Sequence, residues 1–471
     1  MKEIAAPFLE MYFRLLVSAL ALAAATLVFS LKTRARFSLG LGLLLVTAVL
    51  VPFHLGDTAG GVSGPLVMAG ALCVAWLLQQ LARRRIALDG SRVVMAVVAF
   101  MAVAILSFVV GQYPWFPTAH APMRAQLGGL GLFLLSGSVF LLIGHQVGCL
   151  TQLRRLTWVF IASGTLLVVI LIIGWPDVKV GRIGITSSQS IGSMFFVWLV
   201  AMSISQGLYN RDLPPPLRFT MVAAGALTLA RSLFLAFSWA SGWLPPLVAV
   251  AVIVFVRYPR TALGASLLGI VPVMLFGDRV LAAVLEGGEA YSWMTRLEAF
   301  RVMLQVIGHN PWLGFGPANY HSYTLLFPFL GWWAQFSSHN NYLDLVAQTG
   351  LVGLLAFFWF VAEVFLLAMR LRSRVPAGFA RAYVIGVMGG LAGSLVAALL
   401  ADWIIPFAYN VGLRGFRSSV LFWFFPGGLL AIKRMSASPS AMGAAIPRAE
   451  PLFPAAGPLK AAAPLAFKDM A

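Results

Sequence analysis

The chain has 471 residues, of which 60% are hydrophobic and only 10% charged, and a mean hydropathy of +0.90. Apolar runs of about twenty residues recur along it, the length that crosses a hydrocarbon core, which excludes a water-soluble domain and indicates a polytopic α-helical membrane protein. The formal charge of +18 does not point to nucleic acid, because the basic residues fall in short clusters between the apolar runs.

In chain order the clusters are Lys32, Arg34 and Arg36; Arg83, Arg84, Arg85 and Arg92; Arg154 and Arg155; Arg211 and Arg218; Arg257 and Arg260; Arg370, Arg372, Arg374 and Arg381; then Lys433 and Arg434. Placing them all in the cytoplasm predicts spans at roughly 11–31, 38–55, 65–82, 93–110, 125–147, 156–175, 191–208, 219–237, 243–256, 261–277, 350–369, 382–404 and 416–432. The architecture is thus all-α with about 12–13 transmembrane helices. Cys73 and Cys149 lie in or beside spans without ligand-like spacing, so neither a disulfide nor a cysteine metal site is indicated. Residues 1–277 form N-terminal spans with short loops, 278–349 one large outer loop, and 350–434 the C-terminal spans. Residues 435–471 are rich in Ala, Pro and Ser without apolar period and read as a disordered cytoplasmic tail.

Four polar stretches fall outside: Gly111 to Arg124, Trp175 to Ser190, Asp278 to Thr349, and Asp402 to Phe416. The third is the longest, and such a loop is usually functional or carries its own elements. Within it Leu297, Phe300, Leu304 and Ile307 recur at helical spacing, which predicts a helix on the membrane surface over 292–307 with Ser292 or Thr295 as N-cap. Gly308-His309-Asn310-Pro311 stops it, and Gly314-Phe315-Gly316-Pro317 turns the chain before a second short helix at about His339. His339 opens Ser337-Ser338-His339-Asn340-Asn341-Tyr342-Leu343-Asp344, a polar run beside a span where each polar group is costly to desolvate.

The succession Arg296-Leu297-Glu298-Ala299-Phe300-Arg301, Asn310-Pro311-Trp312-Leu313-Gly314-Phe315-Gly316, His339-Asn340-Asn341-Tyr342-Leu343 and Gly350-Leu351-Val352-Gly353 resembles the shared C-terminal region of bacterial O-antigen ligases and O-antigen or exopolysaccharide polymerases. The resemblance implies a multi-pass glycosyltransferase of the bacterial inner membrane, GT-C-like and inverting, with its site facing the periplasm. It implies a polyprenyl-pyrophosphate-linked glycan as donor and a hydroxyl of lipid A-core or of another lipid-linked glycan as acceptor. Ligase and polymerase share the donor chemistry, and the residues do not separate them. A transporter or flippase of lipid-linked glycans is the alternative, although no internal repeat is evident. A structural partner in an envelope complex is a third reading.

Transfer from a pyrophosphate needs charge neutralised on the leaving phosphates and a proton removed from the attacking hydroxyl. Arginine's planar fork suits phosphate oxygens without a metal, and no metal or other cofactor is expected. Asp278, Glu286 and Glu289 are too irregularly spaced for a magnesium site. His339 is the candidate base; a Ser337 or Ser338 cap would place it in the first turn of a helix, whose field lowers its pKa. A capping or headgroup-contacting histidine is the plainer reading, and His309 and His321 are weaker rivals.

Arg296 is the first pyrophosphate candidate, since it matches the family's arginine at the head of this helix and lies outside, where positive-inside bias does not explain it. Arg301, five residues on, points elsewhere and more often serves as a solvated residue. Arg182 is the second pyrophosphate candidate: it lies in Lys179-Val180-Gly181-Arg182-Ile183-Gly184, a cationic, glycine-bearing loop before a helix, where an incidental arginine is the plainer reading. Asn340 and Asp344 are candidate supporting residues. Two departures from the family stand out: Gln348 replaces a frequent glutamate, and Ser241-Gly242-Trp243 lacks an arginine that Arg231, in the preceding span, is placed to replace.

Overall fold

The computed structural model describes residues 34–50, 54–55, 62–84, 88–174, 179–180, 183–184, 191–237, 239–260 and 290–437. The expected spans at 11–31 and 261–277, Arg182, Asp278, Glu286, Glu289 and the tail beyond residue 437 lie outside these residues.

Lipid offers no water to backbone N–H and C=O groups, so apolar runs satisfy them internally as helices. The helices are α1 (Arg34–Leu50), α2 (Gly64–Ala82), α3 (Arg92–Val110), α4 (Met123–Gln146), α5 (Leu150–Ile173), α6 (Ser193–Tyr209) and α7 (Pro215–Leu235). They continue with α8 (Ala240–Arg257), α9 (Ala290–Ile307), the single turn α10 (Tyr320–Tyr323), α11 (Asn341–Arg374), α12 (Phe379–Leu400) and α13 (Phe416–Ser436). Among the described residues, nine helices are long and apolar enough to cross a membrane, and Phe37–Leu50 and Ser193–Tyr209 are shorter apolar helices. The protein is an all-α polytopic membrane protein. Extended structure among the described residues amounts to two antiparallel pairs, His54–Leu55 with Val62–Ser63 and Lys179–Val180 with Ile183–Gly184.

α13 is the enclosed centre: nearly all its side chains from Phe416 to Ile432 are buried, and it packs chiefly on α4 and α6. Trp423 on α13 stacks on Phe100 of α3 at 6.0 Å and on Phe360 of α11 at 5.2 Å. α12 packs on α6 and α8, α11 on α3, and α1 on α5. The outer faces are apolar too, with Leu39, Leu77, Leu78, Val109, Leu355 and Leu399 exposed, as suits a bundle whose surroundings are lipid.

α9 forms where the periodicity predicts a helix, but with a different start and a different inner face. It begins at Ala290, so Ser292 and Thr295 lie within the helix and not at its N-terminus. Its buried side is Ala299, Val302, Met303, Val306 and Ile307, whereas Leu297, Phe300 and Leu304 are 67%, 47% and 51% exposed. Helical spacing identifies an apolar stripe without saying whether protein or lipid covers it.

α11 is two helices meeting at Gly350, whose φ of 68° and ψ of −176° break the hydrogen-bond ladder. The turn at residues 310–316 fills the break. Phe315 N–H donates to Ala347 O at 2.9 Å and Gly316 N–H to Gln348 O at 2.9 Å, while Leu351 N–H donates to Pro311 O at 2.8 Å and Val352 N–H to Trp312 O at 3.2 Å. The two glycine-bearing motifs therefore lock together, and the short helix 341–349 that follows His339 is fixed at an angle to the span.

Candidate active site

The polar segment around His339 is organised by its amides. Asn340 is the N-cap of α11, its side-chain oxygen accepting from Tyr342 N–H at 3.0 Å and Leu343 N–H at 3.2 Å, which satisfies two of the orphan donors at a helix start. Asn341 clamps the loop after α12: its Oδ1 accepts from Ile404 N–H at 2.7 Å and Ile405 N–H at 3.1 Å, and its Nδ2 donates to Ile405 O at 2.9 Å. Tyr342 adds a hydroxyl bond to Leu395 O at 2.8 Å.

His339 itself is not the first helical residue. It precedes the cap, exposed, in the left-handed region with φ 49°. This corrects the expectation that Ser337 or Ser338 caps a helix containing the histidine. Ser338 instead accepts from Asn340 N–H at 3.1 Å and donates to Asp344 Oδ1 at 2.7 Å. A left-handed non-glycine residue is costly and recurs at functional sites, so the bonds on either side hold the imidazole out from the helix end. Its pKa is still pushed down, first by partial desolvation of the ring among its neighbours and then by the Arg296 guanidinium, rather than by a position in the first turn.

Beneath the imidazole lie two fully buried carboxylates. Asp344 accepts at Oδ1 from the Tyr320 hydroxyl and from Ser338, while its Oδ2 is buried without a partner. Its bond to Ser338 ties it to the residue that precedes His339. Asp402, in the loop that Asn341 clamps, accepts at Oδ2 from Phe407 N–H at 2.6 Å and at Oδ1 from the Asn410 amide; burial raises its pKa to about 6. Asn410 Nδ2 also lies 3.2 Å from His339 Nδ1. Phe407 stacks on Tyr320 at 4.5 Å and Tyr409 on His321 at 4.1 Å, so aromatic pairs seat this loop on α10.

The other expected residues are distributed as follows. Arg296, on α9, is exposed, and its charge adds to the lowering of the His339 pKa. Arg301 pairs with Glu298 at 2.6 Å and reaches Pro328 O at 3.4 Å. His309 bonds Gln305 O at 3.0 Å, and burial takes His321 down to about 4. Arg231 lies over the Phe196 ring at 5.5 Å. Gln348 accepts at Oε1 from Ala318 N–H at 2.9 Å and donates to Asp344 O at 3.2 Å. It is thus tied into the backbone of the 310–318 turn.

Residues 216–358 match the O-antigen ligase family model. The match supports the O-antigen ligase superfamily. No curated protein matches the chain significantly. The matched region begins in the first turn of α7 and ends two turns beyond Gly350, so Arg296, Arg301, His339, Asn340 and Asp344 fall inside it. Asp402 and Asn410 fall outside it and were missed by sequence reasoning. The one available signal was the polar stretch from Asp402 to Phe416, an acid placed directly after an apolar span.

Proposed function

We propose that the protein is a membrane glycan transferase of the O-antigen ligase or polymerase type. It moves a polyprenyl-pyrophosphate-linked oligo- or polysaccharide onto an acceptor hydroxyl at the periplasmic face of the bacterial inner membrane. The observation that carries this reading is the placement of His339: exposed, left-handed, outside the capped helix, and under the charge of Arg296. The lowered pKa keeps the imidazole neutral at pH 7, the form that accepts a proton.

In the transfer step the acceptor O–H bond breaks and its proton passes to the imidazole. The acceptor oxygen bonds to the anomeric carbon from the face opposite the donor phosphate, inverting it, and the carbon–phosphate-oxygen bond breaks. Polyprenyl pyrophosphate leaves with the electron pair, its negative charge met by Arg296 and by Arg182 from the 179–190 loop. Arg301, held by Glu298, needs to exchange partners before it meets a phosphate. The arginines supply the neutralising charge, so the step is metal-independent.

Purified protein given a polyprenyl-pyrophosphate glycan with either lipid A-core or a second lipid-linked glycan tests this. Transfer to one acceptor, insensitive to EDTA and lost in Arg296→Ala, is expected. Movement of the lipid-linked glycan across vesicles without transfer to either acceptor would instead mark a flippase.

A further inference from the structure

We infer that Asn410 is a positioning residue whose side-chain amide, oriented by Asp402, decides which nitrogen of His339 carries the lone pair. The inference rests on the base role proposed for His339 and specifies how that role is switched on.

Asn410 Nδ2 contacts both His339 Nδ1, at 3.2 Å, and Asp402 Oδ1. An amide nitrogen has two hydrogens and no acceptor capacity, so it donates one to each. The orientation is dictated by Asp402, whose other oxygen already accepts from Phe407 N–H at 2.6 Å: an ionised carboxylate offers only acceptors, and a flipped amide would set oxygen against oxygen. His339 Nδ1 is therefore an acceptor. A neutral imidazole with an acceptor at Nδ1 carries its proton on Nε2, so in this arrangement the outer nitrogen donates and cannot take a proton from a hydroxyl.

Protonation of Asp402 reverses every bond. The acid's Oδ1–H donates to Asn410 Oδ1 after the amide turns over, and that oxygen also accepts from His339 Nδ1–H. One proton from solvent enters, and the imidazole proton exchanges from Nε2 to Nδ1. Nε2 now holds the lone pair that removes the acceptor's proton, and the resulting imidazolium keeps its Nδ1–H bond to Asn410. The titratable groups facing Asp402 are Asp344 on α11, Tyr320 on α10 and, across Asn410, His339, which the Arg296 charge on α9 also reaches. The pKa of about 6 for Asp402 puts the exchange within reach of neutral pH.

The experiment combines nitrogen-15 NMR of labelled histidine in the full-length protein, His339 being assigned by its loss in His339→Ala, with pH profiles of transfer. At pH 8, wild type is expected to show His339 protonated on Nε2. Asp402→Asn, whose amide can accept from Phe407 N–H and donate to Asn410, is expected to show it protonated on Nδ1. Wild-type turnover is expected to fall by up to tenfold per pH unit above the Asp402 pKa, and Asp402→Asn to lose that fall. Asn410→Ala is expected to leave a mixture of tautomers at every pH, lowering kcat below the Asp402 pKa and raising it above, with little change in KM.

The same tautomer in wild type and Asp402→Asn, or a wild-type profile that Asp402→Asn and Asn410→Ala leave unmoved, would overturn the inference. The two readings fail separately: an active His339→Ala removes the base role, whereas an inactive His339→Ala with an unmoved tautomer removes only the switch.

Discussion

Gly350→Ala combines a backbone cost and a steric one at the same position. Gly350 has φ 68° and ψ −176°, a region open essentially to glycine alone, and a non-glycine residue there costs about 1–3 kcal/mol in backbone strain. A Cβ would also lie 2.0 Å from Trp312 O and 2.4 Å from Leu313 N, both backbone atoms of the turn that fills the helix break. Relief requires the turn to withdraw, which loosens the bonds from Phe315 and Gly316 to Ala347 and Gln348 at about 1 kcal/mol each. The total is on the order of 3–5 kcal/mol, among the larger single-residue effects. Because helix 341–349 carries the His339 end, transfer activity is expected to fall with stability. The assay is the apparent unfolding midpoint in nanodiscs at fixed scan rate, alongside Gly70→Ala on α2, where a Cβ would meet nothing within 4 Å. A Gly350→Ala protein that melts with wild type would refute the account of the locked motifs.

Removing the cap by Asn340→Ala is expected to destabilise by about 1 kcal/mol and to broaden the His339 resonances, since the capping bonds fix the histidine's exit from the helix. Asn341→Ala leaves Ile404 and Ile405 N–H without their acceptor and is expected to raise amide exchange across residues 402–410, read by hydrogen-exchange mass spectrometry. The folded pKa of His339 lies below 6.5, so the neutral base should persist at pH 6.5 and be lost only as the pH falls further. Arg296→Gln removes one cause of the depression, so the His339 titration should move to higher pH; an unmoved titration would deny the coupling.

The transmembrane architecture was legible because its signal is length and apolarity: each expected span within the described residues overlaps a helix, although the end of the span expected at 38–55 is the strand His54–Leu55, beyond a helix that stops at Leu50. The position of His339 was only partly so. Ser337, Ser338 and Asn340 all have side chains able to cap, and the choice among them rests on other partners, Asp344 for Ser338 and Leu399 O at the end of α12 for Asn340. Asn410 contacts His339 across 71 positions of sequence, with Asp402 bonded behind it, and no local pattern reports such a contact. On α9 the stripe Leu297, Phe300 and Leu304 was visible, but in a membrane protein apolarity marks the lipid side as readily as the core.

The central claim is that His339 takes the acceptor's proton. The direct measurement is the single-turnover rate of glycan transfer by His339→Ala against wild type, at saturating polyprenyl-pyrophosphate glycan and with folding verified by an unchanged melting midpoint. The account expects a loss of about 10²–10⁴-fold in rate, the contribution of a positioned general base, with donor binding retained. A His339→Ala protein that transfers at the wild-type rate would contradict it.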